Sequence, residues 1–236
     1  MRNFRQRYRQ PNGPLAARRG SGRALAYPDG VALTGSSGSY IYTADRAALD
    51  FSADIEVVMR LKVTDWSTGA IQTLVGRYIT GTNNRVFRFY TGATGAPAYT
   101  VSTDGTSGTV VTIAIAPIVA LPDNTTVWVR MRLDLTNGSN SVATLETSAD
   151  AGTNTEPSSW TANGSQTGTA IASIFNGTAP LEIGTFANGT LDRLAGRIYR
   201  CIVRSGFSGT VIADFNSELS GVGGYTDASG NAWVVN

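Results

Sequence analysis

The acidic residues are the first candidates for chemistry, because the sequence contains no histidine. Without histidine, a Ser-His-Asp or Cys-His catalytic site and a histidine-ligated zinc are excluded. Hydrolysis of a glycosidic bond uses two carboxylates, one as acid and the other as nucleophile or base. Asp54 and Glu56 share one face of an alternating segment, but no second glutamate follows at a spacing that would complete such a site. We therefore expect no enzymatic activity, and keep a glycan-active hydrolase as the alternative from another functional class.

Oxygen donors that suit calcium occur in three turn-like segments. They are Asp104, Asp123 with Asn124, and Asp150 with Asn154. Calcium takes about six to eight oxygen ligands, and none of these segments is a dense acidic loop. Aspartate and asparagine are also ordinary turn residues. The sequence thus predicts no cofactor, with a calcium site as the alternative.

Aromatic side chains beside polar loops are candidates for sugar binding. Trp66 follows Asp65 at the end of a strand-like segment, and Trp160 lies in a polar segment. We expect these two side chains to be exposed and select them as the candidate ligand contacts. The other aromatic residues are expected to fill the core.

The N-terminal segment is strongly basic. Seven arginines precede the first acidic residue, Asp29, whereas the remainder of the chain is net acidic; they are Arg2, Arg5, Arg7, Arg9, Arg18, Arg19 and Arg23. Prolines and glycines accompany them, without a sustained apolar period, so residues 1–26 are predicted to form an extended arm and residues 27–236 a folded domain.

This arm has two candidate partners. Its arginines could neutralise phosphates, with Phe4 and Tyr8 stacking on bases. Arginine also forms bidentate ion pairs with carboxylates of a protein partner. The folded part carries no basic stripe, so we favour docking on a neighbouring protein subunit over nucleic acid.

Neither a membrane anchor nor a disulfide is predicted. The basic N-terminus lacks the apolar core of a signal peptide. The longest apolar stretch, 110–121, contains Thr112 and Pro117 and is too short to span a bilayer. Cys201 is the only cysteine and stands in a strand-like run, which favours a small buried hydrophobic residue over a nucleophile.

Alternating apolar and polar residues predict an all-β fold. Ile55 to Val63 and Val127 to Leu135 alternate most clearly, and each has one charged face. Asn137-Gly138 predicts a hairpin turn to a strand over 141–147. Further strands are predicted over 39–43, 71–78, 85–90, 179–184, 196–204, 210–215 and through Trp233, with Phe87 and Phe89 facing inward. So many half-buried strands favour two sheets packed face to face.

Five segments in order resemble strands of the concanavalin A-like, or laminin G-like, jelly rolls. They are Leu49–Glu56, Thr73–Arg77, Pro122–Arg130, Leu181–Gly184 and Leu194–Ile198. The resemblance covers residues 25 to about 215 and implies a two-sheet antiparallel β-sandwich with an N-terminal extended arm.

The C-terminal part resembles the close of tailed-phage virion proteins of the minor tail type. Ala213-Asp214-Phe215 is followed by the run 225–233, which reads YTDASGNAW and is similar to the family pattern TDSSGNxW. This resemblance implies a structural or adhesive virion protein, assembled in the host cytoplasm, that contacts other virion proteins through its arm and forms homo-oligomers. Host surface glycans are the expected external ligand, and a capsid decoration protein of the same fold is the alternative.

Overall fold

The computed structural model describes residues 29–51, 54–116, 118–220 and 224–236. The predicted arm, residues 1–26, and its boundary with the folded domain lie outside these residues. Two short 3-10 helices, Ala47–Leu49 and Ser107–Thr109, interrupt a chain of strands. The strands are β1 (Val31–Thr34), β2 (Ile41–Thr43), β3 (Ile55–Val63), β4 (Gln72–Ile79), β5 (Asn84–Thr91), β6 (Pro97–Ser102), β7 (Val110–Ala114), β8 (Thr126–Asn137), β9 (Asn140–Ala149), β10 (Thr161–Thr169), β11 (Leu181–Ile183), β12 (Ala195–Ser205), β13 (Thr210–Asn216), β14 (Tyr225–Thr226) and β15 (Ala232–Val235).

The strands form two antiparallel sheets. Sheet A has the order β1-β12-β3-β8-β9-β10, and β13 pairs with β12 on the same side as β1. Sheet B has the order β14-β15-β2-β11-β4-β5-β6-β7. The two sheets pack face to face, so the predicted all-β sandwich is confirmed. No helix in the described part of the chain has the length and apolar character needed to cross a membrane.

The core lies between the two sheets and follows the predicted alternation. Val129, Met131 and Leu133 of β8 are buried in the main hydrophobic cluster, as are Phe87 and Phe89 of β5. A fully buried side chain of this size contributes about 1.5–3 kcal/mol through removal of apolar surface from water.

Two further side chains of the core carry polar or reactive groups, the hydroxyl of Tyr99 and the thiol of Cys201. The Tyr99 hydroxyl donates a 3.0 Å hydrogen bond from β6 to the Met131 carbonyl oxygen of β8, which ties the sheets together. Cys201 is fully buried, and desolvation raises the pKa of its thiol. Its predicted role as a buried hydrophobic residue is confirmed.

The outer face of sheet A differs from the expectation of a charged face in solvent. Glu56 and Arg60 on this face of β3 are only 1% and 6% exposed. The β9–β10 connection supplies the cover, since Arg60 donates to both carboxylate oxygens of Asp150 and to Asn154 Oδ1 at 2.7–2.9 Å. The polar residues are buried because ion pairs and a loop satisfy them.

The C-terminal motif closes the fold through one carboxylate. Asp227 Oδ2 accepts hydrogen bonds from the Asp214 backbone N–H at 2.9 Å and from Trp233 Nε1 at 3.0 Å. Its Oδ1 accepts from the Asn231 backbone N–H at 2.8 Å. The Tyr225 hydroxyl donates to the Asp214 carbonyl oxygen at 2.5 Å. The motif is therefore a structural device that ties β13 to the last two strands.

Candidate functional site on sheet A

An open groove of about 540 Å³ runs over the end of sheet A formed by β8, β9 and β10. The strand register explains its polar floor. Arg132, Thr144 and Ser165 are direct neighbours across the three strands. In the next row toward the start of β10, Arg130, Glu146 and Ala162 are neighbours. We call this the sheet A groove; Arg132, Thr144, Leu145, Glu146, Ala162, Gly164 and Ser165 line it.

A β-bulge shapes the open side of the groove. The pairing of β10 with β9 shifts between Ala162 and Gly164, which leaves Asn163 without a partner on β9. The Asn163 side chain turns to the segment before β8 and accepts a 2.6 Å hydrogen bond from the Val119 backbone N–H. Such bulges bend a strand and redirect its side chains. Because Ala162, Gly164 and Ser165 are small, the groove stays open.

The charged groups of the groove belong to a ladder of ion pairs. Arg132 Nε lies 2.7 Å from Glu56 Oε2, and Arg204 Nη1 lies 2.8 Å from Glu56 Oε1. Glu146 Oε2 accepts from Arg130 Nε at 2.6 Å and lies 3.5 Å from Arg132 Nη1. Opposite charges thus alternate across the strands, and each carboxylate faces two guanidinium groups.

Two aromatic rings contact the arginines of this ladder. The Arg130 guanidinium lies 4.5 Å from the ring centre of Trp160, and that of Arg132 lies 5.4 Å from the ring centre of Phe207. Trp160 is half-buried against Val58, Trp128 and Ile202, whereas Phe207 is 40% exposed. Cation–π contacts hold both guanidinium planes in place. The groove therefore combines hydroxyl groups and fixed charges, and aromatic rings contact the arginines of its ion-pair ladder.

This arrangement is suited to hydrogen bonding rather than to acid–base catalysis. Both oxygens of Glu56 bind arginine, and the residue is 1% exposed. The second carboxylate of the sequence pair, Asp54, accepts a hydrogen bond from the Leu135 backbone N–H at 2.9 Å. Neither group lies in the groove lining, where a hydrolase would need both carboxylates beside the scissile bond.

The two predicted ligand contacts lie in different environments. The expectation that Trp66 is exposed is wrong, because the residue is only 3% exposed. Its ring Nε1–H donates to the Pro122 carbonyl oxygen, and its backbone N–H donates to Asp123 Oδ1. It lines a smaller pocket of about 350 Å³ with Thr94, Gly95 and Asp123. Trp160 instead contacts Arg130, which pairs with the groove residue Glu146, and its ring is not part of the groove lining. A role for either in ligand binding stays a prediction.

The oxygen donors considered for calcium have protein partners. Asp104 accepts from Thr106 and Thr109, and these hydrogen bonds lower the pKa of its carboxyl group. Asp150 pairs with Arg60, which lowers its pKa. Within the described ranges, no three or more acidic or cysteine side chains cluster as a metal site. The arginines of the arm lie outside the described residues.

Sequence reasoning missed the sheet A groove because it missed β10. The run 161–169 contains no large apolar residue, so it has no alternation to detect. A signal was present in the predicted hairpin, since outward-facing Arg130 and Arg132 on one strand stand opposite outward-facing Glu146 and Thr144 on the next. Pairing that hairpin in register would have placed these charges together.

Comparison with known proteins concerns the fold. The carbohydrate-binding module CBM40 of the Ruminococcus gnavus IT-sialidase, solved with α2,3-sialyllactose, superposes with a TM-score of 0.50 at 18% identity, covering 75% of this chain and 89% of that one. Tailspike protein 2 of bacteriophage CBA120 gives 0.46 at 10% identity over 80% of this chain and 33% of its own. Mouse laminin α1 domains LG4-5 give 0.43 at 12% identity, with 76% and 44% covered. No protein-family model and no curated protein sequence matches the chain. The first likeness confirms the resemblance to jelly-roll sandwiches at the level of the fold.

Proposed function

We propose that this protein is a non-catalytic virion protein of a tailed phage, of the minor tail type, that binds host surface glycans through the sheet A groove. The observation that carries the glycan assignment is the groove itself. It presents the guanidinium of Arg132, the carboxylate of Glu146 and the hydroxyls of Thr144 and Ser165 over about 540 Å³. Glycans are recognised by such fixed hydrogen-bonding groups beside aromatic surfaces.

The fold supports the same reading. A jelly-roll likeness to a carbohydrate-binding module solved with a sialylated sugar is consistent with a glycan ligand. The phage assignment is supported by the sequence of the C-terminal motif, which this structure uses to close the sandwich through Asp227. The arginine-rich arm would anchor the protein to the particle, leaving the sandwich to face outward.

Filling the groove should weaken glycan binding without disturbing the fold. Ser165→Trp places a large ring on the outer face of β10, where Ser165 is exposed and has no large neighbour on its own strand. We expect the dissociation constant measured by calorimetry to rise about tenfold or more. The ligand is selected beforehand on an array of bacterial cell-wall and capsular oligosaccharides that includes α2,3-sialyllactose.

The matched control is Thr210→Trp, which adds the same ring to an exposed position of β13 at the opposite side of sheet A. It should bind like the unmodified protein. The same samples should release no reducing ends from the bound glycan. An array without any bound glycan, equal affinities for both variants, or turnover would each contradict the proposal.

A further inference from the structure

The outer edge of β10 is a long strand edge without the usual protection. In the described part of the chain, no strand pairs with it on the side away from β9. It has nine residues, against two in β14, four in β1, five in β7 and seven in β13, the other strands at sheet edges. Exposed edges usually carry charges, prolines or bulges that prevent pairing with another chain. In β10 only the bulge near Ala162 is present, and Gly164–Thr169 continues in regular register.

The side of the sandwich that contains β10 differs from the rest of the molecule in its content of charged residues. The two longest stretches of the sequence without a charged residue are 157–181 and 105–122. The first contains β10 and the second contains β7. These strands are neighbours in space, since Gly168 packs so closely on Ile113 that an added Cβ would lie 2.8 Å from its side chain. The edge strands of both sheets on this side, β10 and β7, are therefore formed by stretches of the chain without charged residues.

We propose that Gly164–Thr169 pairs in antiparallel fashion with the same segment of a second copy of this chain. A two-fold axis beside Thr167 places that residue opposite its own symmetry mate, so a charge there would face a like charge. The segment has none. Its side chains are small or uncharged, which allows the two backbones to approach. Six residues give a paired length of about 20 Å.

This partner is favoured over the arginine-rich arm. A strongly basic segment would gain nothing electrostatically on an uncharged edge, whereas the charged groups that could attract it lie elsewhere on sheet A. Antiparallel pairing within one continuous sheet requires a two-fold axis perpendicular to that sheet. The outer faces of sheet A in the two copies then point to the same side of the dimer. The two sheet A grooves therefore also point to that side.

Sedimentation of the full-length chain tests the pairing. The unmodified protein should form a dimer, and Thr167→Lys should raise its dissociation constant about tenfold or more, because two lysines meet near the axis. Thr167 is exposed on the outer face, so the change leaves the core intact. Thr210→Lys on β13 is the matched control and should dimerise normally. A monomeric unmodified protein, or a dimer insensitive to Thr167→Lys, would overturn the inference.

Two further measurements identify the partner. An equimolar mixture of Thr167→Lys and Thr167→Asp chains should recover dimers, because the opposed charges now attract. Hydrogen exchange should show amides of 164–169 becoming protected as protein concentration rises. Protection that does not depend on concentration would mean that another segment of the same chain covers β10. That outcome, or a mixture that stays monomeric, would reject pairing between copies.

Discussion

Glu182 of β11 is a carboxylate in an unfavourable place. Its side chain is 2% exposed on the outer face of sheet B, and its Oε1 atom has no hydrogen-bond partner. Burial raises its pKa from 4.5 to about 7, although hydrogen bonds from the backbone of Asn188 and Gly189 act in the opposite direction. The protein therefore prefers this group protonated, at a pH where an exposed glutamate would be charged.

A pH-dependent stability follows from this preference. Between pH 4.5 and 7 the folded protein holds a proton at Glu182 that the unfolded chain releases. Stability from this group is thus present at low pH and is lost as the pH rises through this window, by up to about 3 kcal/mol. Glu182→Gln should remove the loss and be more stable than the unmodified protein at pH 8.

Denaturant unfolding between pH 5 and pH 8 measures the effect. The stability difference between Glu182→Gln and the unmodified protein should grow over this range. Glu218→Gln, which changes an exposed glutamate, should show no such trend. Parallel profiles for Glu182→Gln and the unmodified protein would mean that Glu182 is not held in its protonated form.

Among the elements, β3 carries the centre of the ion-pair ladder. Glu56 forms ion pairs with Arg132 of β8 and Arg204 of β12, and its Oε1 also accepts a 3.3 Å hydrogen bond from the Ser208 backbone N–H. Removing one partner of a buried pair leaves uncompensated charge and costs about 3–5 kcal/mol. Glu56→Gln should therefore destabilise the sandwich by about this amount in urea unfolding. Glu218→Gln again serves as the control, and equal stabilities would show that the ladder contributes little.

How far the sequence predicts the elements depends on what each strand buries. β3 and β8 were predictable because Val57, Met59 and Leu61, for example, alternate against polar neighbours. β10 has no such residues and is held by backbone pairing to β9, which a one-dimensional pattern does not record. The burial of Glu56 was missed for a related reason. Its partners are Arg204, 148 positions away, and Arg132, 76 positions away.

At the scale of the whole molecule, the proposed function would place glycan binding and particle anchoring in separate parts of the chain. Two grooves on the same side of a paired sheet would bind a polymeric glycan together, and the second contact then forms at a high effective concentration. Under the proposed function, the arm would hold the protein to the particle. A weak sugar site on each copy would be sufficient under this arrangement, because several copies would share the attachment.

Charge reversal in the arm tests the anchoring. Replacing Arg5, Arg7 and Arg9 together with glutamate should reduce incorporation into particles. Added salt should weaken a soluble complex of the arm with its partner, because salt screens ion pairs. Arg46→Glu, at an exposed position of the sandwich, is the control and should incorporate normally. Occupancy is measured by imaging labelled protein on purified particles. Normal occupancy of the triple variant would contradict anchoring by the arm and would indicate that the sandwich attaches the protein to the particle. Label on the phage head would favour a capsid decoration protein.

Because Cys201 is buried between the two sheets, the reactivity of its thiol reports when the sandwich opens. As the only cysteine of the chain, it is the only thiol that a reactive dye could modify. It is fully buried between the sheets, and its raised pKa keeps it in the unreactive thiol form. A dye can therefore reach it only when the sandwich separates, and the labelling rate then counts those events. The same labelling rate would also measure how often the sandwich opens in copies held in an intact particle, where the motion of one component is otherwise hard to observe.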